Sequence, residues 1–308
     1  MARTICLQYR GTNGERYAVK PAQFEYHAPT STLDAVALLK TYAEDAKVIA
    51  GGQSLVPMLA LRIARFEHLV DLNRIEELTG ISLERDELVI KALTRQSSAE
   101  HSDLVARHVP LLARAIPKIG HFQIRNRGTV GGSIAHADPA SELPCVALCL
   151  DATMTLVGPA GSRSVSAADF FVSIWQSTAE VDEIVTEIRF PIAAKSSGFG
   201  FEEFALRTGD FAIAGVACAV TLDKAQRIES AAIAFMGMGP TPLRAGLAES
   251  ALVGRRADEI DCAKIAQQAV KETTPGDDVH ASAAYRTQIA TSLAGDALHQ
   301  ALQEARDE

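Results

Sequence analysis

Two short segments with adjacent glycines constrain the fold of this chain more than any other feature. The first is 50–54 (Ala-Gly-Gly-Gln-Ser), and the second, about eighty residues later, is 129–133 (Thr-Val-Gly-Gly-Ser). Adjacent glycines allow turns that other residues cannot adopt, and they let backbone N–H groups approach an anion closely. One such pair is usually an ordinary tight turn, but two with matching polar neighbours predict two loops that hold one ligand. A dinucleotide pyrophosphate is the natural candidate.

The length and charge of the chain exclude several classes of protein. A chain of 308 residues is long enough for two or three compact units, each with its own core. The formal net charge of -8 argues against non-specific nucleic-acid binding, which requires a basic surface. No apolar run approaches the roughly 20 residues that cross a bilayer, and the polar segment 1–19 is not typical of a signal peptide. The sequence therefore predicts a cytoplasmic protein.

The cysteines predict neither disulfides nor a metal centre. Cysteine occurs 5 times, and an odd, scattered set in a chain of this length is not typical of a disulfide framework. Cys145 and Cys149 lie four residues apart in an apolar run, which predicts two small core residues on one helix face. No second pair at ligand spacing completes a metal site. We therefore expect no iron–sulfur cluster, no structural zinc and no metal-binding residue in this chain.

Apolar periodicity divides the chain into an N-terminal extension at 1–20 and three folded parts at 21–76, 77–195 and 196–308. Each glycine segment is predicted to be a turn that follows a strand. The first part should contain an edge strand in 21–29, a helix from about Thr32, a strand at 47–50, a helix at 59–64 and a strand at 68–72. The second should contain strands at 80–83 and 87–92, a helix at 109–119, a loop at 120–128, a helix through Leu150 and strands at 153–157 and 184–190. The third should contain antiparallel strands at 199–205, 213–222 and 228–235, followed by alanine-rich helices in 243–302.

The glycine segments do not match the common nucleotide-binding motifs. Neither has the G-x-G-x-x-G spacing of a Rossmann fold, and neither is closed by the Lys-Ser or Lys-Thr pair of a P-loop. The surrounding polar residues favour a flavin over a nicotinamide. The hydroxyls of Ser54, Thr129 and Ser133 are predicted to bind phosphate oxygens, together with backbone N–H groups of both turns. Asp138 and Glu142 are candidate acceptors for ribityl, ribose or base donors, the alternative for each being a helix cap or a solvated charge.

Three further residues each have two interpretations. His121 and His136 are either acid–base groups or ordinary hydrogen-bonded loop histidines. Phe211, in a Gly-Asp-Phe turn, either covers the same ligand or is a core aromatic residue at the start of a strand. Composition alone favours the core for Phe211.

Longer motifs extend the two glycine segments. They are Ala-Gly-Gly-Gln-Ser-Leu-Val-Pro at 50–57, Arg-Asn-Arg-Gly-Thr-Val-Gly-Gly-Ser at 125–133 and Asp-Pro-Ala-Ser-Glu-Leu-Pro at 138–144, followed by matching stretches at 200–215 and 236–239. In this order they resemble the FAD-binding medium subunit of the molybdenum hydroxylases, the group that contains the carbon monoxide dehydrogenase medium chain and the flavin domain of xanthine dehydrogenase. The resemblance covers the chain from about 21 to 302.

The resemblance implies an α+β chain. Parts 21–76 and 77–195 would be the two subdomains of a p-cresol-methylhydroxylase-type FAD-binding fold, and 196–308 would be a C-terminal domain with a three-stranded antiparallel sheet and helices. Residues 49–55 would form one pyrophosphate loop and 129–133 the other. Asp138, a candidate from its polar side chain alone, is added to the residues that the resemblance implies. The candidate cofactor-binding residues are then Ile49, Ala50, Gly51, Gly52, Gln53, Ser54, Leu55, Ile119, Gly120, Thr129, Gly131, Gly132, Ser133, Asp138, Glu142, Val185 and Phe211. Two of them depart from the family pattern: Gln53 stands where many relatives have histidine, and Glu142 where some have aspartate.

The resemblance also implies a division of labour among subunits. A large subunit with a molybdenum cofactor would oxidise the substrate, and a small subunit with 2Fe–2S clusters would pass electrons to FAD on this chain and on to an external acceptor. The assembly would be a dimer of heterotrimers, and no side chain of this subunit would be catalytic. Two alternatives are a self-contained flavin oxidoreductase of the same fold and a scaffold subunit whose flavin site has decayed.

Overall fold

The computed structural model describes residues 8–10, 16–18 and 20–307 of the chain. Within the predicted N-terminal extension, β1 (Gln8–Arg10) and β2 (Arg16–Ala18) pair as antiparallel strands. The rest of 1–19, including Cys6, lies outside the described residues. None of the helices in the described part of the chain has the length and apolar character needed to cross a membrane.

The first folded part is a small α/β unit built on a parallel sheet of three strands in the order β3-β5-β4. Ser31 caps its first helix, because the Ser31 side chain accepts a hydrogen bond from the Asp34 N–H, as the sequence predicts. The second helix starts directly after the glycine segment rather than at Leu59, since Pro57 falls in the first turn, where proline is tolerated. The elements are β3 (Glu25–His27), α1 (Thr32–Tyr42), β4 (Ala46–Ile49), α2 (Leu55–Ala60) and β5 (His68–Asp71), with 3₁₀ turns at Ala43–Asp45, Leu72–Arg74 and Glu76–Leu78.

The second part packs helices against an antiparallel sheet of five strands in the order β6-β7-β12-β8-β9. Its strands are β6 (Ile81–Glu84), β7 (Glu87–Lys91), β8 (Thr153–Gly158), β9 (Gly161–Ser166), β10 (Phe171–Ser173), β11 (Gln176–Ser177) and β12 (Ile184–Pro191). Its helices are α3 (Gln96–Glu100), α4 (Asp103–His108), α5 (Pro110–Ala115), α6 (Phe122–Arg125), α7 (Val130–His136), α8 (Glu142–Cys149) and α9 (Ala167–Phe170), with a 3₁₀ turn at Ile116–Lys118.

Two predictions for this second part are wrong in detail. The predicted loop at 120–128 contains the short helix α6. The second glycine segment does not follow a strand and is not a turn, because it forms the first turn of α7. Only an isolated bridge between Arg95 and Thr129 precedes it. The prediction for the cysteines of α8 is confirmed, since Cys145 and Cys149 are both buried free thiols.

The third part is an antiparallel sheet covered by helices. The three predicted strands are present, and a strand of 2 residues is added at the edge, giving the order β13-β14-β15-β16. The last helix lies very close to the first strand, because a Cβ added at Gly198 or Gly200 would overlap its backbone. The elements are β13 (Ser197–Phe204), β14 (Ala214–Leu222), β15 (Ile228–Met236), β16 (Leu243–Arg244), α10 (Gly246–Leu252), α11 (Cys262–Val270) and α12 (Ala283–Asp307), with a 3₁₀ turn at Ala257–Glu259.

Three apolar clusters hold these elements together. The first joins α1 to β4 and β5. The second runs from the five-stranded sheet through α8 to one face of the four-stranded sheet, and every residue of α8 is buried. The third fills the other face of the four-stranded sheet against α11 and α12. Since α8 is shared between the second and third parts, its first residue, Glu142, is fixed between them.

Candidate functional site

The first glycine segment leaves the carboxyl end of β4 and enters α2. Gly52 has a φ of 73°, in the left-handed region that favours glycine. Consecutive N–H groups in such a turn form a concave site for an anion. Among the residues that the structure describes, none accepts a hydrogen bond from the backbone N–H groups of residues 51–55. This loop, which we call the open loop, can therefore bind an anion through its backbone.

The second glycine segment has the N–H groups of its residues 130–133 already paired within the chain. Thr129 caps α7, and its Oγ1 accepts a hydrogen bond of 3.1 Å from the Gly132 N–H. The prediction that the N–H groups of both glycine segments face the ligand is therefore wrong for this one, which we call the capped segment. Its other N–H groups donate to carbonyl oxygens of the chain: Val130 to Thr94 (3.0 Å), Gly131 to Ala92 (2.9 Å) and Ser133 to Thr129 (3.2 Å).

The structure brings the open loop and the capped segment together. A Cβ on Gly51 would lie 2.5 Å from the carbonyl oxygen of Arg127 and 2.8 Å from Cα of Gly128. A Cβ on Gly132 would lie 3.6 Å from Cβ of Ala50. Two segments so far apart in sequence are thus in contact only because glycine leaves the space between them free.

A side-chain clamp that the sequence analysis did not identify fixes this contact. Arg95 donates one guanidinium N–H to the carbonyl oxygen of Arg127 (2.5 Å) and another to Oδ1 of Asn73 (2.6 Å). Asn73 in turn donates from Nδ2 to the carbonyl oxygen of Ala50 (2.7 Å). One guanidinium therefore spans both segments. Asn73 follows the carboxyl end of a parallel strand, where ligands often bind, so its position in the sequence could have indicated it. The contacts of Arg95 with distant segments could not be predicted from the sequence.

The predicted residues at the ends of the open loop hold it in place. Ile49 ends β4 and Leu55 begins α2. Gln53 donates from Nε2 to the carbonyl oxygen of Gly51 (3.0 Å), so its side chain braces the turn. The Ser54 side chain makes no capping hydrogen bond to α2, which leaves its hydroxyl available to a ligand.

Asp138 lies after α7, and each of its carboxylate oxygens accepts one hydrogen bond from this chain. Its Oδ1 accepts from the Ala140 N–H (2.9 Å), and its Oδ2 accepts from Nε1 of Trp175 (3.0 Å). The His136 ring stacks on Trp175, with ring centroids 6.1 Å apart, and burial lowers the pKa of His136 although Asp138 opposes this. His136 is therefore uncharged at neutral pH and packed, which favours the interpretation as an ordinary structural histidine over an acid–base group.

A buried carboxyl group, that of Glu142, and a half-buried one, that of Glu203, lie where the second and third parts meet. Burial, together with the nearby Glu203 carboxyl, raises the pKa of Glu142 to about 8. Burial also raises the pKa of Glu203 to about 7, although Lys118 opposes it, and Oε2 of Glu203 has no partner among the described residues. At neutral pH the Glu142 carboxyl is mainly protonated, so it can donate as well as accept a hydrogen bond. Glu203 was not identified from the sequence.

The predicted residues Ile119 and Gly120 lie in a segment held by Arg125. This side chain makes a two-pronged ion pair with Glu100 (2.7 and 3.0 Å) and donates to the carbonyl oxygen of Ile119 (3.0 Å). Gly120 has a φ of 50°. An open cleft of about 390 Å³ lies beside it, lined by Pro117, Gly120, His121, Phe122, Gln123, Arg125 and Thr208.

Phe211 lies on the loop between β13 and β14, which meets the same cleft. The loop reaches it because Gly209 lies flat against the His121 ring, where an added Cβ would be 2.7 Å away. The Phe211 side chain is 61% exposed, and β14 begins only at Ala214, so the interpretation of Phe211 as a core aromatic residue is wrong. Val185, the other residue predicted beside the ring, is buried in β12, against which α7 packs.

These residues fit a flavin dinucleotide. The open loop supplies N–H donors for a diphosphate that have no acceptor among the described residues, and Gly51 lets the capped segment lie directly against this loop. Glu142 supplies a buried carboxyl, and the cleft with the exposed Phe211 offers an apolar surface for an aromatic ring. The capped segment fits as a wall of the site, to which Ser133 contributes a hydroxyl.

Known protein families match both halves of the chain. The profile described as "FAD binding domain in molybdopterin dehydrogenase" matches residues 22–193, and that described as "CO dehydrogenase flavoprotein C-terminal domain" matches residues 199–301. The carbon monoxide dehydrogenase medium chain of Hydrogenophaga pseudoflava is 40% identical over 282 residues, which cover 91% of this chain and 98% of that protein. The subunit alpha of the 6-hydroxypseudooxynicotine dehydrogenase complex of Paenarthrobacter nicotinovorans is 40% identical over 288 residues, covering 94% and 97%.

Solved structures agree with these matches. A carbon monoxide dehydrogenase from Hydrogenophaga pseudoflava that lacks the Mo-pyranopterin moiety of the molybdenum cofactor superposes with a TM-score of 0.90 at 40% identity, over 92% of this chain and 99% of that chain. Quinoline 2-oxidoreductase from Pseudomonas putida 86 gives a TM-score of 0.88 at 35% identity, over 93% and 99%. The predicted α+β FAD-binding fold with its additional C-terminal domain is therefore confirmed.

Proposed function

This chain belongs to the family of FAD-binding medium subunits of the molybdenum hydroxylases, and we propose that it is the electron-transfer subunit of a heterotrimeric complex. In this proposal the chain receives electrons from 2Fe–2S clusters on a small subunit and passes them to an external acceptor. A large subunit with the molybdenum cofactor oxidises the substrate. FAD, when bound, supplies the redox chemistry, and the chain supplies its placement and electrostatics.

The observation that carries the proposal is the open loop in contact with the capped segment. We propose that the N–H groups of residues 51–55 and the Ser54 hydroxyl bind the diphosphate, while the capped segment closes the other side. Glu142 would hydrogen-bond the ribityl or ribose hydroxyls, and Asp138 would hold the intervening loop through Ala140. The full set proposed around FAD is Ile49, Ala50, Gly51, Gly52, Gln53, Ser54, Leu55, Ile119, Gly120, Thr129, Gly131, Gly132, Ser133, Asp138, Glu142, Val185 and Phe211.

Phe211 and the cleft beside Gly120 support a position for the flavin ring. An exposed aromatic side chain on a loop, next to a glycine segment braced by Arg125, can stack on a planar ligand. We therefore propose that the ring lies at the cleft, with Ile119 and Val185 as its apolar neighbours. Electrons would enter and leave at this exposed side.

The domain division also belongs to the proposal. We propose two FAD-binding subdomains at 21–76 and 77–195 and a C-terminal domain at 196–308, with residues 1–20 as an extension. Assembly as a dimer of heterotrimers and a cytoplasmic location remain predictions from the resemblance and from the sequence.

Purification of the untagged chain from its own host, followed by a visible spectrum and separation of the companion chains, tests the proposal. A flavin band with a broad iron–sulfur shoulder, together with one larger and one smaller companion, is the expected result. Flavin without companions would instead favour the self-contained oxidoreductase. An intact three-chain complex without flavin would contradict the electron-transfer function and leave the scaffold interpretation.

A further inference from the structure

We propose a second ligand site in this chain, a divalent metal site of the zinc class formed by Glu25, His27 and His68. It lies in the first folded part and uses none of the residues proposed around FAD. The cysteine pattern predicts no structural zinc, but a zinc site does not require cysteine ligands. The three donors here are two imidazoles and a carboxylate, the ligand types that zinc takes when thiolates are absent.

The register of the parallel sheet places these side chains together. Glu25 pairs directly with His68 across β3 and β5, and His27 follows two residues later on the same face of β3. Tyr26, between them, points to the opposite face and hydrogen-bonds Asp71. The backbone is therefore sufficient to bring the three donors to one surface.

The distances between the donor atoms match a metal site. Nε2 of His27 lies 3.1 Å from Nδ1 of His68, and Nδ1 of His68 lies 3.6 Å from Oε2 of Glu25. The donor atoms of all three residues lie within 4.8 Å of one another. Two ligands of a tetrahedral zinc ion, each about 2.05 Å from the metal, are about 3.3 Å apart. Two of the three separations are close to this value and the third is at most 4.8 Å, so an adjustment of the exposed Glu25 carboxylate gives one face of a tetrahedron and leaves its fourth position for water.

Packing holds the imidazoles while leaving the site accessible. The Tyr42 ring, at the end of α1, stacks on His68 with ring centroids 3.6 Å apart and on His27 with centroids 5.2 Å apart. The His68 side chain is 14% exposed and that of Glu25 is 72% exposed, so an ion can reach the donors from solvent. Two histidines restrained by an aromatic neighbour lose little freedom on binding a cation, which favours a preformed site.

The nearest alternative is a simple hydrogen bond between the two imidazoles. A separation of 3.1 Å also fits an N–H donor on one ring and an acceptor on the other. The two interpretations differ in the part played by Glu25, since a hydrogen bond between the rings does not require the carboxylate. They also differ in the response to metal, because a ligand that binds only the folded state raises the thermal stability.

The test uses the untagged full-length chain, freed of metal by a chelator and titrated with Zn²⁺ in competition with a chromophoric chelator. We expect one Zn²⁺ per chain and a higher Tm with Zn²⁺. Glu25→Gln and His27→Ala should each weaken binding at least tenfold, whereas His280→Ala, which removes an exposed histidine elsewhere, should leave it unchanged. Co²⁺ should give the visible bands of a tetrahedral site in the parent chain and lose them in both site variants.

Binding that is absent, or that is equal in the parent chain and in Glu25→Gln, would overturn the proposal. Glu25→Gln decides the matter even if His27→Ala folds poorly, since the Glu25 side chain is mostly in solvent and the substitution preserves its shape. Tm in metal-free buffer verifies that each variant is folded. Flavin content should not change in any of these variants, because the site shares no residue with the open loop or the capped segment.

Discussion

The open loop and the capped segment look alike in sequence and differ in structure. Both contain two adjacent glycines next to a hydroxyl residue. In the open loop the backbone N–H groups of residues 51–55 have no acceptor among the described residues, and the left-handed Gly52 shapes the turn. In the capped segment the N–H groups of residues 130–133 are paired, and its glycines let α7 lie against the end of β7. A Gly-Gly pair therefore leaves backbone N–H groups without an acceptor in one place and serves packing in the other.

The difference follows from what precedes each pair. The open loop follows a parallel strand, whose carboxyl end leaves the next backbone groups free to turn toward a ligand. The capped segment follows α6 and runs beside Ala92 and Thr94, whose carbonyl oxygens take its N–H groups. We therefore expect substitutions in the capped segment to lower mainly the stability of the chain, and substitutions in the open loop to lower mainly its affinity for FAD.

The largest expected effect is from Gly131→Ala in the capped segment. The new Cβ would lie 2.6 Å from Cα of Ala92 and 2.8 Å from its carbonyl oxygen, both backbone atoms that cannot move aside. We expect the free energy of unfolding to fall by about 3 kcal/mol, the upper part of the range for overpacked cores. The midpoint of urea unfolding measures it. Gly246→Ala, where a Cβ meets no atom within 4 Å, is the matched control and should change the midpoint little.

In contrast to Gly131→Ala, Gly51→Ala in the open loop should weaken FAD binding more than it lowers stability. Its Cβ would lie 2.5 Å from the Arg127 carbonyl oxygen and so push the open loop away from the capped segment. Because the loop lies at the surface it can shift, and we expect a loss of only about 1 kcal/mol in stability. FAD affinity should fall about 30-fold, equivalent to about 2 kcal/mol, in a fluorescence titration of the flavin-free chain. If the loss in unfolding free energy exceeded the loss in FAD binding free energy, the proposed difference between the two segments would be contradicted.

Arg95→Lys tests whether the two segments depend on one clamp. A lysine cannot donate in two directions from a planar fork, so it can keep the bond to Arg127 or the bond to Asn73 but not both. We expect FAD affinity to fall about tenfold and unfolding free energy to fall by about 1 kcal/mol. Both are measured as for Gly51→Ala. The exposed Arg107, changed to lysine, is the control and should leave both quantities unchanged.

Local signals in the sequence were enough for most elements of the fold. Ser31 marks the start of α1 by a cap, and the spacing of Cys145 and Cys149 correctly predicts one buried helix face. The predicted start of α2, at Leu59, is too late, because the helix begins at Leu55 and accommodates Pro57 in its first turn. Such signals depend on neighbours within a few residues, which is why they can be found in a single chain.

The site was harder to predict, because its decisive contacts are between distant segments. The motifs located both glycine segments, but the fate of their N–H groups depends on carbonyl oxygens of residues 92 and 94 and on the guanidinium of Arg95. One clue was present in the sequence: Thr129, three residues before Gly132, has the spacing of a helix cap. Glu203 gave no clue, since its position near Glu142 depends on how distant segments of the second and third parts pack together.

The smallest effect should come from removing one hydroxyl in each segment, and this pair sharpens the comparison most. Thr129→Ala removes the cap of α7 and leaves the Gly132 N–H unpaired, so we expect a loss of about 1 kcal/mol in unfolding free energy. Ser54 makes no capping bond, so Ser54→Ala should change stability by less than about 0.5 kcal/mol. If its hydroxyl binds the diphosphate, FAD affinity should fall about fivefold, equivalent to about 1 kcal/mol. The two segments differ in whether their backbone N–H groups are paired within the chain. If both substitutions changed stability and FAD affinity equally, this difference would have no functional consequence and the comparison would be contradicted.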